Sequence, residues 1–326
     1  MLTEIDQNQS VSSDRTARGA GRVKVALGVL TFKRPMLLRA CLASLLRQTL
    51  LADPAYEIWI AVVDNDAGGS AAAEVREIAA ESPVPIRYAV ESGRGVARGR
   101  NRVFEETQGC DLMAMLDDDE TAAPDWLENL VRTQRVFSAD VVTGPVDAEL
   151  EIPALWVVQG GFFSARKAVT GSRPRYVETN NVLFTGEIVS TRRFDLRFNM
   201  TGGEDTHFFY QLMRQGARAV WCESARVKES IPAARTTPEW LVNRAYSNAD
   251  RLTGTVLCVD STAVAVWNRL LRATASLCIG LCLYAASFGS VARNIKARQR
   301  IARFRGTVDA LRGRRRIYYQ NDAALT

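Results

Sequence analysis

Histidine is almost absent from this chain: its 326 residues include only His207. Ser-His-Asp triads, His-rich zinc sites and HExxH chemistry are therefore excluded unless that single imidazole serves them. Acid–base or metal chemistry has to be built mainly from carboxylates. Cysteine is sparse too. The six thiols (Cys41, Cys110, Cys222, Cys258, Cys278, Cys282) form no CxxC pair, no zinc spacing and no dense disulfide framework, which predicts a reducing compartment. The polar stretch Met1–Gly21 lacks the apolar run of a signal peptide and reads, with Arg22, as a flexible tail over residues 1–22. No internal repeat and no low-complexity tract is present.

The formal charge of +6 is unevenly spread: Arg293–Thr326 holds 10 basic and 2 acidic residues, which leaves the preceding body near neutral. A neutral body with a basic tail predicts an anionic surface met by the tail alone, lipid or nucleic acid. Nucleic-acid binding calls for basic residues interleaved with aromatics across the folded body. Here the excess of positive charge is confined to the tail, so a membrane surface is expected and no nucleic acid.

What the chain does have is alternation. Val23–Leu30 is a buried-strand pattern, followed by Leu38, Cys41, Leu42, Leu45 and Leu46 at helical spacing behind Pro35. Strand patterns recur at Glu57–Val63, Ile86–Val90, Asp111–Leu116 and near Val141–Val146. Helical patterns lie near Ala71–Ala80, Val96–Glu106 and Pro124–Phe137. This order predicts βαβ units and a mostly parallel sheet, with ligands beyond the carboxyl ends of its strands. Thr31, Asp64 and Asp117–Asp119 fall there. The stretch Ala148–Val177 is irregular and rich in Gly, Pro and aromatics, as a loop-built acceptor region would be. Regular patterning returns at Asn181–Val189, in a helix through Phe208, Phe209, Leu212 and Met213, and in a strand at Arg218–Cys222.

Beyond Trp240 the character changes. Ala273–Ala292 carries no charge and has about the length that spans a hydrocarbon core, but it is rich in Ala, Ser and Gly. Basic residues flank it on both sides, so the positive-inside rule sets no orientation. A monotopic or re-entrant element, a true span and a buried soluble helix all remain open. The stripe Ile301, Phe304, Val308 and Leu311, set among arginines, suits an amphipathic helix lying in a membrane plane.

Two clusters carry chemistry. Asp117, Asp118 and Asp119 end an apolar strand and repel one another unless a cation neutralises them; such oxygen-only ligands suit magnesium or manganese. A solvated acidic turn capping the next helix is the alternative. Gly202-Gly203-Glu204-Asp205 opens the helix that contains His207. Its carboxylates either complement the helix dipole or supply a general base, and its glycines allow close backbone approach to a ligand. Gly93, Gly95 and Gly99 imitate a dinucleotide loop, but as G-x-G-x-x-x-G after the third strand instead of G-x-G-x-x-G after the first. Arg94, Arg98 and Arg100 there suit a diphosphate instead.

In this order the pieces resemble the family 2 glycosyltransferases with the GT-A fold, and within them the ExoM-like transferases of bacterial exopolysaccharide pathways. The matching residues are Thr31-Phe32-Lys33-Arg34-Pro35, Val63-Asp64-Asn65, Gly95 with Arg100-Asn101, Asp117-Asp118-Asp119, Thr179-Asn180-Asn181 and Gly203-Glu204-Asp205-Thr206. The resemblance implies a Rossmann-like α/β domain over 23–250, a mostly parallel central sheet flanked by helices. A helical, membrane-associating region with the basic tail would follow over 251–326. It also implies roles. Thr31 and Asp64 would hold the donor nucleoside, with Phe32, Arg34 and Asp117 on the same donor-binding wall. Arg94 or Arg100 would lie by the base or diphosphate, Asp118 by the ribose or phosphate, and Asp119 on a divalent cation, magnesium or manganese. Asp205 would be the catalytic base and Glu204 would orient the acceptor.

The expected reaction is inverting transfer of one sugar from a nucleotide sugar, a UDP-hexose, to a polyprenyl-linked saccharide on the cytoplasmic face of the bacterial inner membrane. Two departures qualify it. Processive members carry QxxRW, whereas Trp240–Ala245 reads WLVNRA, which favours single additions. Where relatives place a metal-reaching histidine, this chain has Val227-Lys228-Glu229: either Glu229 substitutes or the metal is held more weakly. A sugar nucleotidyltransferase would begin with a loop such as GxGTR where Thr31–Pro35 stands. A non-catalytic lipid- or nucleic-acid-binding protein would explain the tail. Neither accounts for both acidic clusters.

Overall fold

The computed structural model describes residues 21–174, 176–314 and 316–317. Nearly all of the expected N-terminal tail and the end of the basic tail lie outside the described residues. The chain runs β1 (Val23–Thr31), α1 (Pro35–Leu45), β2 (Tyr56–Asp64), α2 (Ala72–Glu81), β3 (Ile86–Val90), α3 (Val96–Glu106), β4 (Leu112–Asp117), β5 (Glu120–Ala122) and α4 (Trp126–Phe137). It continues with β6 (Val141–Thr143), β7 (Val146–Leu150), α5 (Leu155–Gly160), β8 (Asn181–Thr185), α6 (Gly186–Thr191) and α7 (Glu204–Arg214). β9 (Ala219–Trp221), β10 (Val227–Ile231), α8 (Pro238–Val259), α9 (Ala263–Ala285) and α10 (Val291–Leu311) complete it.

β1, β2 and β4 are runs of Val, Ile, Leu, Ala and Met buried on both faces, the signature of strands inside a parallel sheet. They lie in a seven-stranded sheet of order β3-β2-β1-β4-β8-β6-β9, parallel except where β8 runs against β4 and β6. One face packs on α1 and α4 through Leu38, Leu42, Trp126 and Leu130. On the other face Phe104, Phe184, Phe194, Phe208 and Phe209 form an aromatic core, with the Phe194 and Phe208 rings stacked at 4.3 Å. That cluster fastens α7 to the sheet, and with it the start of α7 beside the strand ends.

Three expected segments divide. The Val141–Val146 strand breaks at Gly144-Pro145: Pro145 has no N–H for the ladder, and a Cβ on Gly144 would strike the Ala225 carbonyl. β6 stays in the large sheet, while β7 crosses into a second sheet of order β5-β10-β7. Asn181–Val189 turns from strand to helix at Gly186. The uncharged run Ala273–Ala292 ends α9 at Ala285, turns through Gly289 (φ +73°) and enters α10. It is not one spanning element, and among the described residues no helix is long and apolar enough to cross a membrane. The Ile301 stripe is not free either. Ile301 lies by Gly280 of α9, and Phe304, Val308 and Leu311 line a groove with Val242 of α8 and Leu270 of α9. The expected boundary at residue 250 falls inside α8.

Candidate active site

The carboxyl ends of β1, β2 and β4, the start of α3, the start of α7 and β10 surround one cleft of about 830 Å³. Its lining includes Thr31, Phe32 and Arg34 after β1, Arg94 and Arg100 around the α3 N-terminus, Asp117–Asp119 after β4, and Glu204 and Asp205 opening α7. The two acidic clusters, far apart in the chain, therefore share a single cavity.

Around β4 the carboxylates are crowded. Asp118 accepts a hydrogen bond from the Thr31 hydroxyl at 2.7 Å and lies 3.6 Å from Arg34 Nη1. Asp119 Oδ2 sits between Arg34 Nη1 at 3.3 Å and Arg235 Nη1 at 3.4 Å. The small sheet adds further acid, because β10 pairs antiparallel with β5 so that Glu229 stands opposite Glu120. Arg235 Nη1 reaches Glu229 at 3.3 Å, so one guanidinium ties β10 to Asp119. Burial pushes Asp118 up to about 7 despite Thr31 and Arg34, with Asp119 and Asp117 adding to the rise. Burial likewise raises Glu229 to about 7, with the Asp119 charge raising it further, and Asp117 to about 6 against the pull of Arg100. Buried Glu120 is raised well above the usual range.

Carboxyls lifted in this way hold protons because burial and one another's charge outweigh the neighbouring guanidinium groups. The oxygen-only chemistry of Asp117, Asp118, Asp119 and Glu229 is what a hard divalent cation prefers. Their ligand atoms are not drawn together as a cage; among the described residues the group with one ligand atom from each member within 4.8 Å is Asp195, His207 and Cys258. There Arg197 already engages both oxygens of Asp195.

At the start of α7, Gly203 caps the helix with φ +89°, a left-handed conformation that favours glycine. The next residue, Glu204, is buried and forms an ion pair with Arg100. Its Oε2 has no hydrogen-bond partner among the described residues. Burial raises Glu204 to about 7 against the pull of Arg100, with Asp205 adding to the rise. Arg100 also lies 3.8 Å from Asp117, joining the two acidic clusters. Asp205 is less buried and lines the cleft; its Oδ1 accepts from the Thr206 amide at 2.6 Å.

The donor side is only partly as expected. The Arg94 guanidinium lies 5.6 Å from the centre of the Phe32 ring. The structure does not bring Asp64 to the cleft wall. It is fully buried, accepting from the Ala71 amide at 2.8 Å, the Tyr88 hydroxyl at 3.0 Å and the Asp66 amide at 3.0 Å. These donors close the loop after β2 over its carboxylate. The adjacent Asn65 reaches the cleft instead and accepts from the Gly95 amide at 2.9 Å. Arg100, expected near the base or diphosphate, is committed to Glu204. Sequence reading missed Arg235 and Glu120. Glu120 directly follows the three aspartates and turns back through its strand pairing with β10, whereas Arg235 sits in the turn after β10 and only the fold brings it to Asp119.

On the far side of the cleft stand Phe162, Phe163, Trp240, Arg244 and Arg251. Phe163 and Trp240 stack at 6.2 Å between the irregular segment and α8, with the Arg244 guanidinium 5.8 Å from the centre of the Trp240 ring.

The profile described as Glycosyl transferase family 2 matches residues 27–199. Succinoglycan biosynthesis protein ExoM of Rhizobium meliloti (strain 1021) is 31% identical over 299 residues, covering 90% of this chain and 94% of that protein. Among solved structures, the mannosyltransferase PcManGT from Pyrobaculum calidifontis, in complex with GDP-Man and Mn2+, superposes with a TM-score of 0.60 at 16% identity. That match covers 89% of this chain and 88% of PcManGT. TarS 1–349 of S. aureus in complex with UDP gives 0.51 at 14% identity, covering 92% and 94% of the two chains.

Proposed function

This chain belongs to glycosyltransferase family 2, and we propose that it is an inverting, cation-dependent transferase in which Asp205 is the general base. It has the GT-A fold, uses a nucleotide-sugar donor and works in polysaccharide biosynthesis. The observation that carries the finer reading is that Asp119 and Asp205 line one cleft, although they arise from different elements. We assign the donor as a UDP-hexose and the acceptor as a polyprenyl-linked saccharide, supported by the similarity to a succinoglycan-biosynthesis protein.

The cleft divides the work. Phe32 and Arg94 provide a stacking and cationic surface for the nucleoside end. Arg34 and Arg235, both beside Asp119, supply positive charge where the donor's diphosphate lies. A divalent cation bound by Asp119 would neutralise the charge that grows on the leaving diphosphate. Arg100 keeps Glu204 in place at the cleft wall, from where it helps orient the acceptor. Phe163 and Trp240 put an aromatic wall on the same cleft. Asp205 takes the proton as the acceptor oxygen bonds to the anomeric carbon, and the bond to the diphosphate breaks on the opposite face. The nucleoside diphosphate leaves, and the anomeric configuration is inverted.

Removing the base tests the assignment. General-base assistance contributes about 10²–10⁴ in rate, so Asp205→Asn should lose that much kcat while its affinity for nucleotide stays unchanged. Asp119→Ala should instead lose cation-dependent nucleotide binding. Full turnover by Asp205→Asn, measured by nucleotide release with a saccharide acceptor, would remove Asp205 from the mechanism.

A further inference from the structure

α9 presents two apolar faces. Its inner face is cut small, with buried Ala273 and Gly280; a Cβ on Gly280 would lie 3.0 Å from the Cβ of Arg300 and 3.2 Å from Ile301 Cγ1 on α10. Arg269 turns inward and donates to the Thr253 hydroxyl of α8 at 2.6 Å. The outer face should then be polar, as on any helix with one buried side. Instead Val264, Trp267, Leu271 and Leu281 stand exposed on the side of the helix away from Ala273 and Gly280, with exposed Ile279 and Tyr284 flanking them. Trp267 is 60% exposed, and Phe288, in the turn that follows, is 92% exposed.

Charge narrows the choice of partner. From Ser261 to Val308 the chain has eight Lys and Arg residues and no Asp or Glu. Arg272, Arg293, Lys296 and Arg305 among them are exposed. A second copy of this hairpin would bring like charges together. A nucleic acid would leave the aromatic stripe in water. An anionic lipid leaflet satisfies both features, taking the apolar side chains among its acyl chains and the cations among its headgroups.

We propose that the outer face of α9, with the Phe288 turn, docks into the interfacial layer of an anionic bilayer, lying in its plane. The docking element is therefore not the Ile301 stripe of α10, which faces Gly280 of α9 and the groove shared with α8. The proposal stands on these exposures and charges and not on the transferase chemistry. If that chemistry holds, docking keeps the cleft beside a lipid-linked acceptor.

Flotation of the full chain with phosphatidylcholine vesicles, with and without phosphatidylglycerol, is the test. Wild-type protein should float with the anionic vesicles and much less with neutral ones, and high salt should weaken the binding. Trp267→Glu with Phe288→Glu should reduce partitioning roughly tenfold or more, since each removes a large buried side chain from the lipid. Nucleotide binding by the double variant should be unchanged, which separates lost docking from unfolding. If the double variant does not bind nucleotide, Phe288→Glu alone, in the exposed turn, carries the test. Equal flotation of variant and wild type would overturn the proposal. So would a wild-type dimer that the double substitution dissociates. A wild type that floats but transfers no sugar would count against the transferase reading alone.

Discussion

Asp119 Oδ2 is shared between two guanidinium groups, Arg34 at 3.3 Å and Arg235 at 3.4 Å. A cation binding there must push at least one of them aside, and the displaced group is then placed to meet the donor's diphosphate. Arg235→Ala should consequently move two affinities in opposite directions. Manganese binding to the nucleotide-free protein should tighten several-fold, because a competing charge worth up to about 1 kcal/mol is gone. Nucleotide binding in the presence of manganese should weaken. Calorimetric titrations would show both, and a parallel change in the two would refute the displacement. At this scale the sequence was legible wherever chemistry is local. Three acids ending an apolar run, and two acids behind two glycines, declared themselves. Asp64 did not, because only the folded chain shows the Ala71 amide and the Tyr88 hydroxyl closing on it. Arg235 did not either: nothing near it in sequence hints at Asp119.

Elements place these residues by register and by backbone conformation. β10 is short and half polar, so hydrophobic alternation does not announce it; its pairing with β5 and β7 is what sets Glu229 opposite Glu120. The histidine substitution read in the sequence thus becomes a question of strand register. The other placement depends on Gly203. Its φ of +89° costs a side-chain-bearing residue about 1–2 kcal/mol, and a Cβ there would lie 3.2 Å from the Cβ of Arg251 on α8. Gly203→Ala should lower the melting temperature modestly and, by tilting the first turn of α7, reduce kcat more than nucleotide affinity. Thermal unfolding and nucleotide titration of the same preparation would separate these effects. A variant with unchanged kcat would mean that Gly203 serves only the backbone.

Over the whole molecule the cleft is closed by parts beyond the region that matches the family profile, residues 27–199. β10, Trp240 and the arginines of α8 complete it. The strongly patterned first half was accordingly the part of the fold that sequence read well. The hairpin of α9 and α10 was not, because a charge-free run of small residues does not reveal where its helix will turn.

The same closure concentrates carboxyls whose titration is coupled to folding. Asp118, Glu229 and Glu204 rise to about 7 and Asp117 to about 6, whereas an unfolded chain releases those protons near the ordinary carboxylate range, about 4. Between these limits the native protein binds more protons than the unfolded one, so stability falls as pH rises. Burial lowers His207, which gives the opposite slope below its ordinary value, but it is one group against those four and Glu120. Cation-free protein should therefore melt at a lower temperature near about pH 8 than near about pH 5. Manganese binds the deprotonated site and should restore the loss, raising the melting temperature more at the higher pH. Calorimetric scans with chelator and with saturating manganese would measure both slopes. A manganese shift independent of pH would mean that the raised carboxyls are not the ligands. Loss of the pH dependence in Glu229→Gln alone would trace it to the β10 edge of the cleft.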